Sequence, residues 1–142
     1  MASEACYRNL RKYKYQLVND YSIQIPLRPD IDIEIKFVCL NSDGLLTVKK
    51  GYAWDGPSGP TIDTKSFMRG SLIHDALYQL MRTEHLNYRL QRKAADDLLR
   101  KICLEDGMFS FRAWYVYKSV RIFAEKNAKP QPEPQDEVIC VP

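Results

Sequence analysis

The chain has 142 residues, of which 45% are hydrophobic and 27% charged, a composition typical of one globular domain with a substantial core. Its 21 basic and 18 acidic residues leave a net charge of +3, which by itself is too small to indicate nucleic-acid binding. Basic residues gather near both ends, and we interpret them as solvated faces: Arg8, Arg11, Lys12 and Lys14, then Arg112, Lys118, Arg121 and Lys126.

Several classes of protein are disfavoured by what the sequence lacks. No run approaches the roughly 20 apolar residues that span a bilayer, and the first residues lack the basic-then-apolar order of a secretory signal. We therefore expect the protein in a cytoplasm or in a particle assembled there. The four cysteines form no Cys-x-x-Cys unit, which argues against a zinc ribbon. We expect reduced thiols, with Cys39 and Cys103 as small core residues and no role assigned to Cys6 and Cys140.

Alternating apolar and polar residues predict β-strands in the N-terminal half. The alternation runs through residues 21–25 and 31–37, and an apolar stretch at 45–48 follows a turn signal at 41–44. The apolar residues of 31–37 would share one face, which suits an antiparallel sheet covered on one side only. Pro26 and Pro29 predict an edge or a bend between the strands.

Three helices are predicted in the C-terminal half, after a glycine- and proline-rich loop at residues 51–60. The first would begin at Thr64 or Ser66 and end near Arg82, the second would span about 87–105 with Gly107 as its stop, and the third about 110–127. We expect the aromatic residues of the third helix to lie in the core rather than to stack on bases. These residues are Phe111, Trp114, Tyr115, Tyr117 and Phe123.

The fold class that follows is α+β. An N-terminal antiparallel hairpin-rich sheet precedes a three-helix C-terminal half, and both belong to one domain over residues 1–128. Residues 129–142 are rich in proline, and we predict an extended tail there.

A polar pair marks the first two helices. At 100° per residue, His74 lies inside the apolar arc of the first helix and Asp96 at the edge of the apolar arc of the second, whereas Asp97 points away. The turn centres near His85, eleven residues from each partner, so an antiparallel hairpin brings the two side chains level. A carboxylate on one imidazole nitrogen leaves the other free to accept a proton. His74, Asp96 and Tyr78 are therefore the candidate catalytic residues.

The loop before the first helix adds a candidate substrate and metal site. Asp75 leaves the apolar arc of its helix and is expected to face this loop, where Asp55, Gly56 and Ser58 are the candidate contacts. Asp75 and Asp55 could hold Ca²⁺ or Mg²⁺, with loop carbonyls and water as further ligands. The alternative is structural, because a buried His–Asp pair that joins two helices satisfies its own polar groups without a substrate.

The order of these motifs resembles a domain-of-unknown-function family that is common in phages and prophages. Its members carry an Asp-Gly-x-Ser-x-Pro loop, a His-Asp-x-Leu-Tyr helix and an Ala-Asp helix, as residues 55–60, 74–78 and 95–96 do here. A more local similarity is to secreted phospholipases A2, in which a His-Asp-x-x-Tyr helix faces an aspartate, the histidine is the base and the adjacent aspartate holds calcium. Leu77 stands where those enzymes have a half-cystine, and their calcium loop and disulfides are missing.

Two functions follow as expectations, and a third, inhibition of a host protein, would leave no recognisable pattern in the sequence. The first is a small phage- or prophage-encoded hydrolase of esters or phosphoesters, with His74 as base and a divalent cation beside it. The alternative is a virion structural or assembly protein, in which the His–Asp pair is a buried lock and the C-terminal tail binds neighbouring subunits. Either would reside in the host cytoplasm or in the virion.

Overall fold

A computed structural model describes residues 5–8, 15–54, 65–130 and 138–141. It has an antiparallel strand-rich N-terminal region and four helices in the C-terminal half, which confirms the predicted α+β class. The strands are β1 (Ala5–Arg8), β2 (Tyr15–Gln16), β3 (Tyr21–Gln24), β4 (Ile33–Glu34), β5 (Val38–Leu40), β6 (Leu45–Val48), β7 (Ala53–Trp54) and β8 (Val138–Val141). The helices are α1 (Lys65–Arg82), α2 (Tyr88–Glu105), α3 (Ser110–Phe123) and α4 (Glu125–Ala128).

The main sheet has four antiparallel strands in the order β3-β6-β5-β4. Its inner face is apolar because β5 and β6 point Val38, Leu40, Leu46 and Val48 into the core, all fully buried. The predicted turn at 41–44 joins these two strands, with Gly44 at a φ of +87°. Two further ribbons pair β2 with β7 and β1 with β8.

The expectation of one long strand over residues 31–37 is wrong. The chain makes only the two-residue strand β4 and then turns, and the amide of Ile35 donates to the carbonyl of Val38 at 2.9 Å. Ile33 is buried as predicted, but Ile31 lies outside the strand and is exposed. Neither turn residue, Lys36 or Phe37, is a glycine or a proline. The alternation of apolar and polar residues therefore continues through the turn, and the sequence does not reveal that the strand ends there.

Helices α1 and α2 form the predicted antiparallel hairpin. The side chain of Asn87 accepts the amide of Arg89 and so caps α2, and Gly107, at a φ of +97°, follows its end. The helices approach closely at Gly70, where an added Cβ would lie 3.0 Å from the sulfur of Cys103 and 3.0 Å from Cδ1 of Leu99. This close approach places facing residues of the hairpin within reach of each other.

The aromatic residues of the third helix are not core residues, contrary to the prediction. Helix α3 ends at Phe123, and α4 follows as a separate short helix. Among the described elements α3 packs chiefly on α2, and it buries only the small side chains Ala113 and Val116. Because a helix with one neighbour buries a narrow stripe, the larger rings remain outside. The exposed aromatic residues are Phe111, Trp114, Tyr115 and Phe123, while Tyr117 is half-buried.

Polar contacts fasten the sheet to the helices. The indole of Trp54, at the end of β7, donates to the hydroxyl of Ser71 on α1 at 3.2 Å. Arg69 on α1 binds both carboxylate oxygens of Asp106 and also donates to the phenol of Tyr21 on β3. The start of α1 is therefore held against both the sheet and the end of α2.

The tail is described only at its ends. The segment 131–137, which holds most of the predicted proline-rich extension, lies outside the described residues. Residues 138–141 form β8, which pairs with β1. The division into a domain over 1–128 and a tail stays a prediction. Every helix among the described residues is too short or too polar to span a lipid bilayer.

Candidate functional site

His74 and Tyr78 lie one turn apart on α1 and meet the same carboxylate oxygen on α2. Nε2 of His74 is 2.7 Å from Oδ1 of Asp96, and the Tyr78 hydroxyl donates to that oxygen at 2.6 Å. The two rings are 4.1 Å apart between centroids. His74 is only 7% exposed and Asp96 is fully buried. The predicted contact between His74 and Asp96 is therefore present, and Tyr78 adds a second hydrogen bond to the same carboxylate oxygen.

Two arginines complete the environment of Asp96, and the sequence analysis missed both. Arg121 of α3 donates to Oδ2 of Asp96 at 2.8 Å, and Nε of Arg92 lies 3.9 Å from the same oxygen. Arg92 also donates to the Tyr78 hydroxyl at 3.1 Å. Every lone-pair region of the carboxylate thus faces a donor or a cation, which is what a buried charge requires.

Arg92 joins this network to the end of the third helix. One of its terminal nitrogens donates at 2.7 Å to the carbonyl of Val120 and at 2.7 Å to that of Arg121. Those carbonyls lie in the last turn of α3, and that of Val120 also accepts the amide of Ala124 at 3.0 Å. We call the set His74, Tyr78, Arg92, Asp96 and Arg121 the Asp96 network. It connects α1, α2 and α3.

A sequence signal existed for one of the two arginines. Arg92 precedes Asp96 by four residues on the same helix, which is the spacing of an ion pair. Arg121 was interpreted as part of a solvated face, and this interpretation is wrong because it pairs with the buried carboxylate. Nothing local marked it, since its partner lies on another helix. Asp97, by contrast, is exposed as predicted and pairs with Lys93.

The network shifts the acidities of its members. Burial alone would lower the pKa of His74, but the carboxylates of Asp75 and Asp96 oppose it and hold the pKa above the ordinary value of 6.5. Burial likewise acts to raise the pKa of Asp96, whereas His74, Tyr78 and Arg121 stabilise the carboxylate and lower it on balance. Burial and the adjacent carboxylate raise the pKa of Tyr78, so its hydroxyl stays protonated.

The second nitrogen of His74 lies outside this network. The nearest described carboxylate oxygen to Nδ1 is Oδ1 of Asp75, at 4.0 Å, which is longer than an ordinary hydrogen bond but close enough for Asp75 to raise the pKa of the ring. The Asp75 side chain is 37% exposed, so this carboxylate, unlike that of Asp96, reaches the surface. The expectation that Asp75 serves a different direction from Asp96 agrees with this arrangement.

The predicted loop residues cannot be placed beside His74. Asp55, Gly56 and Ser58 belong to the segment 55–64, which lies outside the described residues. Among the described residues, no group of three or more His, Cys, Asp or Glu side chains is arranged to hold a metal ion. Asp75 is the one predicted cation ligand that the structure describes, so the Ca²⁺ or Mg²⁺ site stays a prediction.

The fold and the network define an α+β protein whose helical hairpin carries a buried histidine–carboxylate pair. The profile of a family described as a protein of unknown function (DUF1353) matches residues 31–120, from just before β4 into the last turn of α3. This match covers more than half of the chain, and the protein belongs to that family. Searches of curated proteins and of solved structures gave no match. Membership in a family of unknown function is therefore confirmed, while a phage origin stays a prediction.

Proposed function

We propose that the protein is a hydrolase of esters or phosphoesters in which His74 is the general base. The observation that carries this proposal is the asymmetry of the imidazole. Nε2 is held by the buried Asp96 at 2.7 Å, whereas the nearest described carboxylate to Nδ1 is the half-exposed Asp75, at 4.0 Å. A lock needs only the hydrogen bond at Nε2. A water or a substrate group at Nδ1 would give the second nitrogen a role as well.

The chemistry follows from the hydrogen bonds. A carboxylate can only accept, so Nε2 of His74 carries the proton and the neutral ring has its lone pair on Nδ1. A water bound at Nδ1 would give up a proton as its oxygen attacks a carbonyl or phosphoryl centre. Asp96 then stabilises the imidazolium, and Nδ1 returns the proton to the leaving group. Asp96 and Tyr78 act in this scheme as positioning residues.

The remaining parts of the proposal concern the cation and the setting. A divalent ion between Asp75 and the Asp55 loop would polarise the substrate oxygen, in keeping with the resemblance to phospholipases A2. The phage and prophage resemblance supports a role in the host cytoplasm or the virion. The His74 and Asp96 chemistry does not depend on the identity of the ion.

A panel of chromogenic carboxylic esters and phosphoesters, assayed with and without Ca²⁺ or Mg²⁺, tests this function. We expect hydrolysis by the wild type that is lost in His74→Gln and kept in His85→Gln, which alters the exposed histidine of the α1–α2 turn. Activity should rise with pH through the raised pKa of His74, because only the neutral ring accepts a proton. Equal activity in His74→Gln and the wild type would refute the assignment of the base.

A second candidate, a virion or assembly component, is favoured by the outer face of α3. Phe111, Tyr115 and Ile122 form an exposed apolar stripe opposite the side that packs on α2. The exposed Lys118 lies on the same face between Tyr115 and Ile122, and α3 contains basic but no acidic residues. The partner that fits is a neighbouring subunit with an apolar surface and acidic residues at its edge. The tail contact with such subunits stays a prediction, because residues 131–137 lie outside the described part of the chain.

An assembly role would be tested with neighbouring proteins from the same particle. We expect the wild-type chain to co-assemble with an acidic subunit, and Phe111→Ser with Tyr115→Ser to prevent this without unfolding the domain. Retention of assembly in that double variant would exclude the α3 face as the contact.

A further inference from the structure

The two terminal strands place the first and last cysteines of the chain opposite each other. β1 and β8 pair in antiparallel orientation, and Cys6 is the register partner of Cys140. The Cα atoms of directly opposed residues in such a pair lie about 4.5 or 5.5 Å apart, depending on the hydrogen-bonding position. Disulfides join Cα atoms that are about 4.4–6.8 Å apart. The backbone register alone therefore brings these two residues within bridging distance.

The other two cysteines occupy different surroundings. Cys39 lies opposite Glu34 on β4 and Thr47 on β6, and it is a free thiol. Cys103 is also free and lies buried at the close approach of α1 and α2, against Gly70. Burial raises the pKa of the Cys103 thiol to about 11, which makes it a poor nucleophile near neutral pH. Competition for pairing with the terminal cysteines is thus limited to Cys39.

We propose that Cys6 and Cys140 form a reversible disulfide that fastens the two ends of the chain together. Among the described elements, β1 and β8 make their main contacts with each other, and an isolated two-stranded ribbon is only marginally stable. A bridge between its strands would hold the ribbon closed. It would also close a loop of nearly the whole chain. Such a bridge lowers the conformational entropy of the unfolded state, and this effect grows with loop length.

The reaction needs a small-molecule disulfide as oxidant, such as oxidised glutathione. The thiolate of one cysteine attacks a sulfur of that disulfide, which forms a mixed disulfide and releases one small thiolate. The second cysteine thiolate attacks the protein sulfur of the mixed disulfide and releases the other small thiolate. Two protein thiols are oxidised, two electrons pass to the small disulfide, and the two thiol protons end on the released thiols or in solvent.

The test uses the full chain, equilibrated with oxidised glutathione or with a reducing agent. We expect the oxidised protein to lose two hydrogens in intact mass and to give one linked pair of peptides, which contain Cys6 and Cys140. Its melting temperature should exceed that of the reduced protein by about 5 °C or more. Cys6→Ser should abolish both effects, whereas Cys39→Ser, which removes the same number of thiols, should keep both.

A register variant makes the test specific to the strand pairing. Combining Cys140→Ser with Ile139→Cys preserves the number of thiols, but moves one of them by a residue and so to the opposite face of the ribbon. This variant should fail to form the intramolecular bridge. Links from Cys6 to Cys39, glutathione adducts on both terminal cysteines without a bridge, or a bridge that leaves the melting temperature unchanged would each overturn the proposal.

Discussion

His74 donates from Nε2 to Oδ1 of Asp96 over 2.7 Å, and this bond determines which imidazole nitrogen remains available. Asp96 is held in turn by Tyr78 and Arg121, so the histidine is oriented by a carboxylate that cannot rotate away. The Asp96 network therefore joins three helices and also fixes the position of a base.

Removing the charge of Asp96 should destabilise the fold strongly. Asp96→Asn preserves the size of the side chain but leaves Arg92 and Arg121 without their carboxylate. We expect the free energy of unfolding to fall by about 3 kcal/mol. This value is near the lower end of the range for breaking a buried ion pair, because Arg121 is partly exposed. Urea denaturation measures this loss. The adjacent Asp97→Asn, which breaks only an exposed pair with Lys93, should cost less than about 1 kcal/mol, and equal losses would contradict the network.

Stability should depend on pH through His74. Its pKa is held above 6.5 in the folded state, because the Asp75 and Asp96 carboxylates outweigh burial. The stabilisation is fully present below the unfolded pKa of about 6.5 and is lost as pH rises through the raised folded value. Melting temperatures taken across this range should fall in the wild type and in His85→Gln, but not in His74→Gln. A pH profile that is the same in His74→Gln and the wild type would count against the assigned shift.

Cation binding should depend on Asp75. If this carboxylate is a ligand, saturating Ca²⁺ or Mg²⁺ should raise the melting temperature, because an ion that binds only the folded state stabilises it by about 2.7 kcal/mol at 100 times its Kd. Differential scanning fluorimetry of the wild type and Asp75→Asn tests this. The same shift in both proteins, or no shift with either ion, would remove Asp75 from the cation site.

The outer face of α3 should contribute little to folding. Phe111 is 77% exposed, so Phe111→Ser removes almost no buried apolar area and should change the unfolding free energy by less than about 0.5 kcal/mol. Leu99→Ala, at a buried position between α1 and α3, should cost about 2–5 kcal/mol. Chemical denaturation of both variants measures the difference. A large loss in Phe111→Ser would mean that the aromatic ring supports the fold.

The sequence predicted those features that depend on local patterns. The helical hairpin and the pairing of His74 with Asp96 follow from periodicity and from equal distances to one turn. The outward position of the aromatic residues of α3 could not be predicted. Apolar periodicity shows which residues share a face of a helix, but it does not show which other element, if any, packs on that face. Arg121 was missed for the same reason, since its partner lies on another helix. The turn at Lys36 and Phe37 lacked any local signal.

The most direct test of the central claim is NMR of the imidazole nitrogens of His74 across a pH series. The chain has only two histidines, so a ¹⁵N-histidine-labelled His85→Gln variant leaves His74 as the one signal. We predict that Nε2 stays protonated throughout, while Nδ1 loses its proton at a pKa above 6.5. A neutral ring protonated at Nδ1, or a pKa below 6.5, would contradict the assignment of His74 as a base oriented by Asp96.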